Sequence, residues 1–545
     1  MARPHLVTLP YEVRDIIFQE YFRVEGGYVF SSESEKLTTA GGQRIDFSLM
    51  YTCRSIANDT KHLPFELNNL SFSTLFSPDL RAWAGRHQFL SQFIPTLKAD
   101  LICLLQGPTM SPELEEALEE KFPHLMPYFK NNLEDTYRRR LRRDRTVRSG
   151  CAYRYWEESR HTSEIIKDLG DVEVRAYGKN TSMAREAIAF SLRFLGKRQY
   201  FELARLLKEA SRHWKGSNNP QDLMDLTLDP WDIPSKTVLT RIGSLLGDDA
   251  VWGRIKDWHE GVQANYRFSA TAVAIRFFRQ LSREQMRHLR GVTLIEDEYA
   301  VCSPSTHANG LIEFCKENPR LRIQRHLKLR RRIPAVIHPC WYMVGYSSII
   351  KPRSERNLDS GEHIRPLLAI DGISTWLEEA ITLPDAGMPR NSYTLCFDGE
   401  PDKAYFSDIF QNTLLRIHAL ILASQQLLRM RPDQFDMWFP LPYQRWQSGH
   451  FSKAVKYLIN HHSDSMDSFP LICSNFHPGQ PFDVRSFIQE RLEWTTGEWL
   501  DDEMIKSFRL KQCVSTFGSW NDNLESFYEF KNPREFPPTE NLIES

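Results

Sequence analysis

The residues best placed to do chemistry lie in "IEDEYAV", where Glu296, Asp297 and Glu298 follow a strand-like run and His307 comes soon after. Carboxylates at the end of a strand, with a histidine in reach, suit proton transfer or the holding of a divalent ion. Acidic residues at strand ends are also ordinary solvated turns, and the spacing alone does not make these side chains converge. Cys302, His307 and Cys315, with His338 and Cys340 further on, supply zinc-type ligands, but their spacing follows no tetrahedral pattern and buried core cysteines are the commoner case. "HHSD" (His461 to Asp464) with His477 is equally loose. The phosphate-binding, dinucleotide, serine-hydrolase and zinc-protease signatures are all missing. We therefore expect no catalytic residue, no metal and no cofactor, and keep an acid/base or metal enzyme around Glu296 to Glu298 as the least favoured reading.

The elements that must carry these residues are better marked than the chemistry. Ser282 and Gln285 have capping-box spacing for a helix, "GVTLIED" predicts a strand entered through a glycine, and a helix around Leu311 to Lys316 stops at Asn318-Pro319. The next strand has Leu321, Ile323, Leu327 and Leu329 on one side and Arg322, Gln324, His326, Lys328 and Arg330 on the other. Strand, helix, strand predicts parallel pairing through a right-handed crossover. This is also the unit of curved solenoids, but one unit without a fixed repeat does not establish a solenoid. Upstream, "SPELEEALEEKF" has good helix-start chemistry, and Ser182 to Trp214 reads as two helices separated at Gly196. Lys351 to His363 reads as a linker, "SYTLCFDGEP" as a strand, Pro401 to Met430 as a long helix and "FDVRSFIQERLEWTTGEWL" as another.

At the front of the chain, "LPYEVRDIIFQEYF" (Leu9 to Phe22) predicts a helix opened by Pro10. Val13, Ile16, Ile17 and Tyr21 make one apolar stripe; Tyr11, Phe18 and Phe22 make a second beside it. That arc exceeds the roughly 100° a helix needs to face one core, so part of it is expected to meet a partner. Glycine pairs at 26–27 and 41–42 bracket an expected polar loop; Asp46 then caps a second helix with Leu49, Met50, Cys53, Ile56 and Ala57. The helix, the Cys53-Arg54 pair and the ending Leu63-Pro64-Phe65-Glu66 through Asn69-Leu70-Ser71-Phe72 together resemble an F-box, in the divergent form that opens many uncharacterised fungal proteins. The resemblance covers about the first 70 residues and implies a Skp-type adaptor and a cullin as partners, with the rest of the chain selecting a protein substrate. It places Leu9, Pro10, Val13, Ile16 and Ile17 on or beneath the adaptor surface, and Cys53 and Arg54 on the second helix of the motif. The Arg23 to Ile45 segment is longer than in a compact F-box, and no tryptophan follows Cys53-Arg54.

Composition sets the outer bounds. The chain of 545 residues, 41% apolar, is long enough for roughly two to four domains. With 69 basic against 70 acidic residues, no global field draws it to nucleic acid. The strongest local charge is Arg138, Arg139, Arg140, Arg142, Arg143 and Arg145, a possible import or nucleic-acid patch whose bland alternative is a solvated helix face. Nine cysteines without a C-x-x-C pair predict a reducing compartment, and with no signal-like or membrane-length apolar run we expect cytoplasmic or nuclear residence and no membrane partner. The expected fold is α+β and predominantly α-helical: an F-box-like helical module (1–78), a charged helical connection (79–150), a central region with a small mixed or parallel sheet (151–350) and a mainly helical C-terminal domain (363–535). The expected function is non-catalytic, a substrate-receptor or adaptor subunit of a cullin-type ubiquitin ligase. The rivals are a scaffold that does not bind the adaptor and a nucleic-acid-associated protein using the arginine run.

Overall fold

A computed structural model of the chain describes residues 6–130, 181–246, 262–330, 363–430, 449–461 and 469–494, apart from 108, 124, 127–128, 211–215, 217–218 and 365, together with Glu498 and short strands at 510–511 and 528–530. Among these residues the fold is α+β and predominantly helical, built on one seven-stranded mixed sheet.

The strands are β1 (Tyr28–Ser31), β2 (Lys36–Thr39), β3 (Leu70–Ser73), β4 (Gly291–Glu296), β5 (Arg322–Lys328), β6 (Tyr393–Asp398) and β7 (Ile472–Ser474). They lie in the order β2-β1-β3-β4-β5-β6-β7, and every neighbouring pair is parallel except β1 with β2. Parallel strands are thus laid down side by side in chain order, the winding that the single predicted strand-helix-strand unit left open. The expected divisions at 78 and near 350 do not interrupt it, because β1 and β3 come from the first region and β6 and β7 from the last.

Alternation of side chains gives the sheet two unlike faces. Leu70, Phe72, Val292, Leu294, Ile323, Leu327, Leu395, Phe397 and Ile472 belong to a large core. They pack under α9 (Ala270–Phe278), α12 (Pro366–Thr382), α14 (Arg416–Met430) and α15 (Gly449–Asn460). The other face carries Ser71, Ser73, Thr293, Gln324, His326, Thr394 and Cys473. Between β3 and β4 the chain makes a helical unit with its own core, in which α4 (Pro78–Gln106), α5 (Pro112–Lys121), α6 (Thr181–Arg198), α7 (Tyr200–Ala210) and α8 (Lys236–Leu246) bury Leu90, Phe93, Leu101, Ile188, Leu192, Leu203 and Leu239 against one another. The break between α6 and α7 falls at Gln199; Gly196 is inside α6, where a Cβ would stand 2.6 Å from the Met224 sulfur.

Two local expectations are corrected. The segment read as a polar loop is the β1–β2 hairpin, and β1 enters the sheet beside β3. Gly27 permits this: its φ is +69°, and a Cβ there would lie 2.3 Å from the Asn69 carbonyl oxygen. The helix expected after Asp46 is two pieces, a 3-10 turn at Ser48–Tyr51 and α2 (Arg54–Thr60), because Cys53 is extended (φ −159°, ψ 162°). Asp46 is not the cap of either piece, the cap positions being Phe47 and Cys53; its carboxylate accepts from the Ser48 amide at 2.8 Å, two residues on. The capping box at Ser282 and Gln285 forms as expected, opening α10 (Arg283–His288).

Candidate functional site

α1 (Tyr11–Phe22) starts just after Pro10, which sits at the cap position. One edge of the helix turns inward: Phe18 and Phe22 are buried with Ile56 of α2 and Leu63 of α3 (Leu63–Leu67), and Leu6, Phe47, Leu49, Met50 and Leu67 pack around them. Arg14 pairs with Asp59 of α2 at 2.9 Å, and Tyr21 donates to Asp46 at 2.6 Å. Asn68 closes the unit, donating to the Phe22 and Pro64 carbonyls (2.8 and 2.9 Å) and accepting from the Val24 amide (2.8 Å).

The opposite edge is bare. Ile16 is 63% exposed, Val13 43% and Ile17 39%, and Pro10, Tyr11 and Tyr21 are exposed beside them. The two predicted stripes therefore separate, Phe18 and Phe22 inward and Val13, Ile16, Ile17 and Tyr21 outward, with Tyr11 leaving its stripe for solvent. Leu9 is half-buried just ahead of α1, whereas Cys53 and Arg54 are exposed at the start of α2. The helix is thus anchored along one edge and carries an exposed row of branched aliphatics along the other.

The acidic trio does not converge. Glu296 faces the core and is fully buried with Arg325, whose guanidinium reaches it at 2.6 and 2.9 Å. It also accepts from the Thr271 hydroxyl at 2.9 Å and from the amides of Ala270 and Thr271 at the start of α9. The guanidinium also donates to the Pro304 carbonyl at 2.7 Å and lies 4.5 Å from the Trp376 ring. Asp297 instead ties β4 to the end of β3 through the Thr74 hydroxyl (2.7 Å) and amide (3.2 Å), and Glu298 is half-buried. His307 is buried between the Ser269 hydroxyl (Nδ1, 2.6 Å) and the Cys302 carbonyl (Nε2, 3.0 Å), and burial holds it well below the usual imidazole range. Its neutral tautomer accepts from Ser269 and donates to Cys302, so it is a satisfied core histidine.

Cys302 and Cys315 are buried separately, and burial pushes the Cys315 thiol up to about 12. No group of three or more potential metal ligands occurs among the described residues. His338, Cys340 and the arginines from Arg138 to Arg145 lie outside the described residues, as do His462 to Asp464 of the "HHSD" run. No helix among the described residues is long and apolar enough to cross a membrane.

Sequence reasoning missed two features. On the polar face, one row across the strands reads Ser73, Ile295, His326, Cys396, Cys473, and the next pairs Lys328 with Asp398, which also accepts from Asn475 at 2.8 Å. Only the strand order assembles these residues. The second is Glu379 of α12, buried where the helical unit meets the sheet body and accepting from the Ser182 amide of α6 at 2.9 Å.

Burial raises Glu379 from 4.5 to about 7, offset in part by Ser182. A carboxyl with a raised folded-state pKa holds its proton better in the folded chain. Its contribution is fully present below about pH 4.5 and is lost as pH rises to about 7. Glu379→Gln, which keeps the neutral shape, is expected to be about 3 kcal/mol more stable than the parent at pH 8 and nearly equal to it at pH 4.5. Urea midpoints at the two pH values measure this; parallel shifts at both would refute it.

Comparison with known proteins finds nothing to set beside this arrangement: no family model, no curated protein and no solved structure matches the chain.

Proposed function

We propose that the protein is a non-catalytic docking subunit whose α1 edge binds a Skp-type adaptor of a cullin ubiquitin ligase, while the sheet and helical unit present a surface to a protein substrate. The observation that carries this reading is the outward row Val13, Ile16 and Ile17 on a helix already anchored by Phe18 and Phe22. The choice of partner rests on the F-box resemblance of the same residues, with Pro10, Cys53 and Arg54 exposed on the same module.

β1 and β3 belong to both the module and the sheet, so the test uses the whole chain. Purified full-length protein is expected to bind purified adaptor at micromolar concentration. Ile16→Asp is expected to weaken binding by at least about 30-fold, since a carboxylate would have to be desolvated in an apolar contact. Its unfolding transition should stay unchanged, because Ile16 touches solvent. No binding by the parent protein, or equal binding by the variant, refutes the proposal; partners that survive Ile16→Asp in its place would identify a scaffold that does not use the adaptor.

A further inference from the structure

Two cysteines distant in sequence meet on the polar face of the sheet. Cys396 of β6 and Cys473 of β7 are register partners on adjacent parallel strands, and His326 of β5 is the partner of Cys396 on its other side. Partnered residues of neighbouring strands stand roughly 4.8 Å apart, inside the roughly 4.4–6.8 Å between Cα atoms that a disulfide spans. Their side chains leave the sheet on the same face. Both are free thiols, Cys396 buried and Cys473 half-buried.

We propose that Cys396 and Cys473 form a peroxide-reactive dithiol that closes to a disulfide and fastens the edge strand β7 to β6. Their hydrogen bond divides the roles. It favours the Cys473 thiolate, drawing that thiol below the ordinary value, and together with burial it holds the Cys396 thiol up. Cys473 is therefore the nucleophile, and it is also the more accessible sulfur.

Its thiolate attacks one oxygen of a hydroperoxide. The O–O bond breaks, an S–O bond forms, and the departing oxygen takes a proton to leave as water or an alcohol. Cys473 is then a sulfenic acid. Oxidation of Cys473 removes the hydrogen bond that held the Cys396 thiol up, and Cys396, whose other hydrogen-bond partner is His326, attacks that sulfur as it gives up its proton. The S–S bond forms, the S–O bond breaks, and the hydroxide takes a proton and leaves as water. Two thiols and one hydroperoxide give a disulfide, an alcohol or water, and one further water.

The test uses reduced full-length protein exposed to hydrogen peroxide, quenched by alkylation and mapped by peptide mass spectrometry. A reducible Cys396–Cys473 cross-link is expected to appear at least about tenfold faster than oxidation of Cys53, which is exposed at the start of α2, away from the sheet. Cys396→Ser should leave a sulfenic acid at Cys473 that a dimedone probe traps, and Cys473→Ser should leave Cys396 alkylatable. The proposal is overturned if both thiols stay free while Cys53 oxidises. It is equally overturned if Cys473 passes to the sulfinic acid without cross-linking, or if either cysteine pairs elsewhere.

Discussion

Arg325→Met is expected to cost roughly 3–5 kcal/mol of stability, the usual penalty when one member of a buried ion pair is removed and the other stays charged. Both side chains are fully buried, so water cannot take over from the missing guanidinium. Glu296 would keep the Thr271 hydroxyl and the first amides of α9, which partly compensate a carboxylate but do not neutralise it. Arg325 is also a strut: its guanidinium joins β4 to the Pro304 turn and lies under Trp376 of α12, so the variant loses contacts on three elements. Adding Glu296→Gln should restore about half of the loss, since Gln can accept the same hydrogen bonds without a buried charge. Urea unfolding of the parent, the single and the double variant measures this, with a loss below about 1 kcal/mol in the single variant as the refuting result.

The same pair shows what could be read ahead of the structure. Arg325 is in phase with Ile323 and Leu327, and Glu296 with Val292 and Leu294, so the alternation placed two opposite charges on the apolar faces of strands predicted to be neighbours. Read together, these positions point to a buried pair; read singly, Glu296 resembles a solvated turn or an acid catalyst. Features set by short-range hydrogen bonding were readable, such as the Ser282–Gln285 box and the stop of the helix at Asn318. The outward row on α1 was readable too, because an apolar arc wider than one core requires shows up in helical spacing.

What depends on long-range pairing was not readable. The strand formers of the β1–β2 hairpin, Tyr28, Val29 and Phe30 and then Thr38 and Thr39, are short runs separated by serines and glutamates and bounded by glycine pairs. Its place in the sheet depends on the close approach of Gly27 to Asn69. Nor does the segment around Cys396 hint at Cys473, since the two become neighbours only when β6 and β7 pair. The sheet that runs across the expected domain borders was hidden for a related reason: a helical unit with its own core is inserted between two adjacent strands, and composition registers the helices rather than the pairing across them.

Phe22→Ala is the complement of Ile16→Asp, and its expected effect is as large as that of Arg325→Met. Truncating a fully buried phenylalanine costs about 3–5 kcal/mol. The loss falls on a small cluster, in which only Phe18, Phe22, Ile56 and Leu63 are buried, beside a far larger core under the sheet. Local opening of α1 to α3 should therefore become easier without matching loss elsewhere. Amide-exchange protection in 11–22 and 54–67 is expected to drop by roughly two orders of magnitude, at about 1.4 kcal/mol per tenfold, while β4, β5 and α9 keep theirs. Adaptor binding should fall with it, because the outward residues lose the helix that presents them. Ile16→Asp removes binding and keeps protection; Phe22→Ala removes both. If protection in α9 and β4 falls in step with that in α1, the pairing of β1 with β3 has made module and sheet one cooperative unit. Phe22→Ala would then report on the stability of the whole fold, and Ile16→Asp would be the variant that isolates the docking edge.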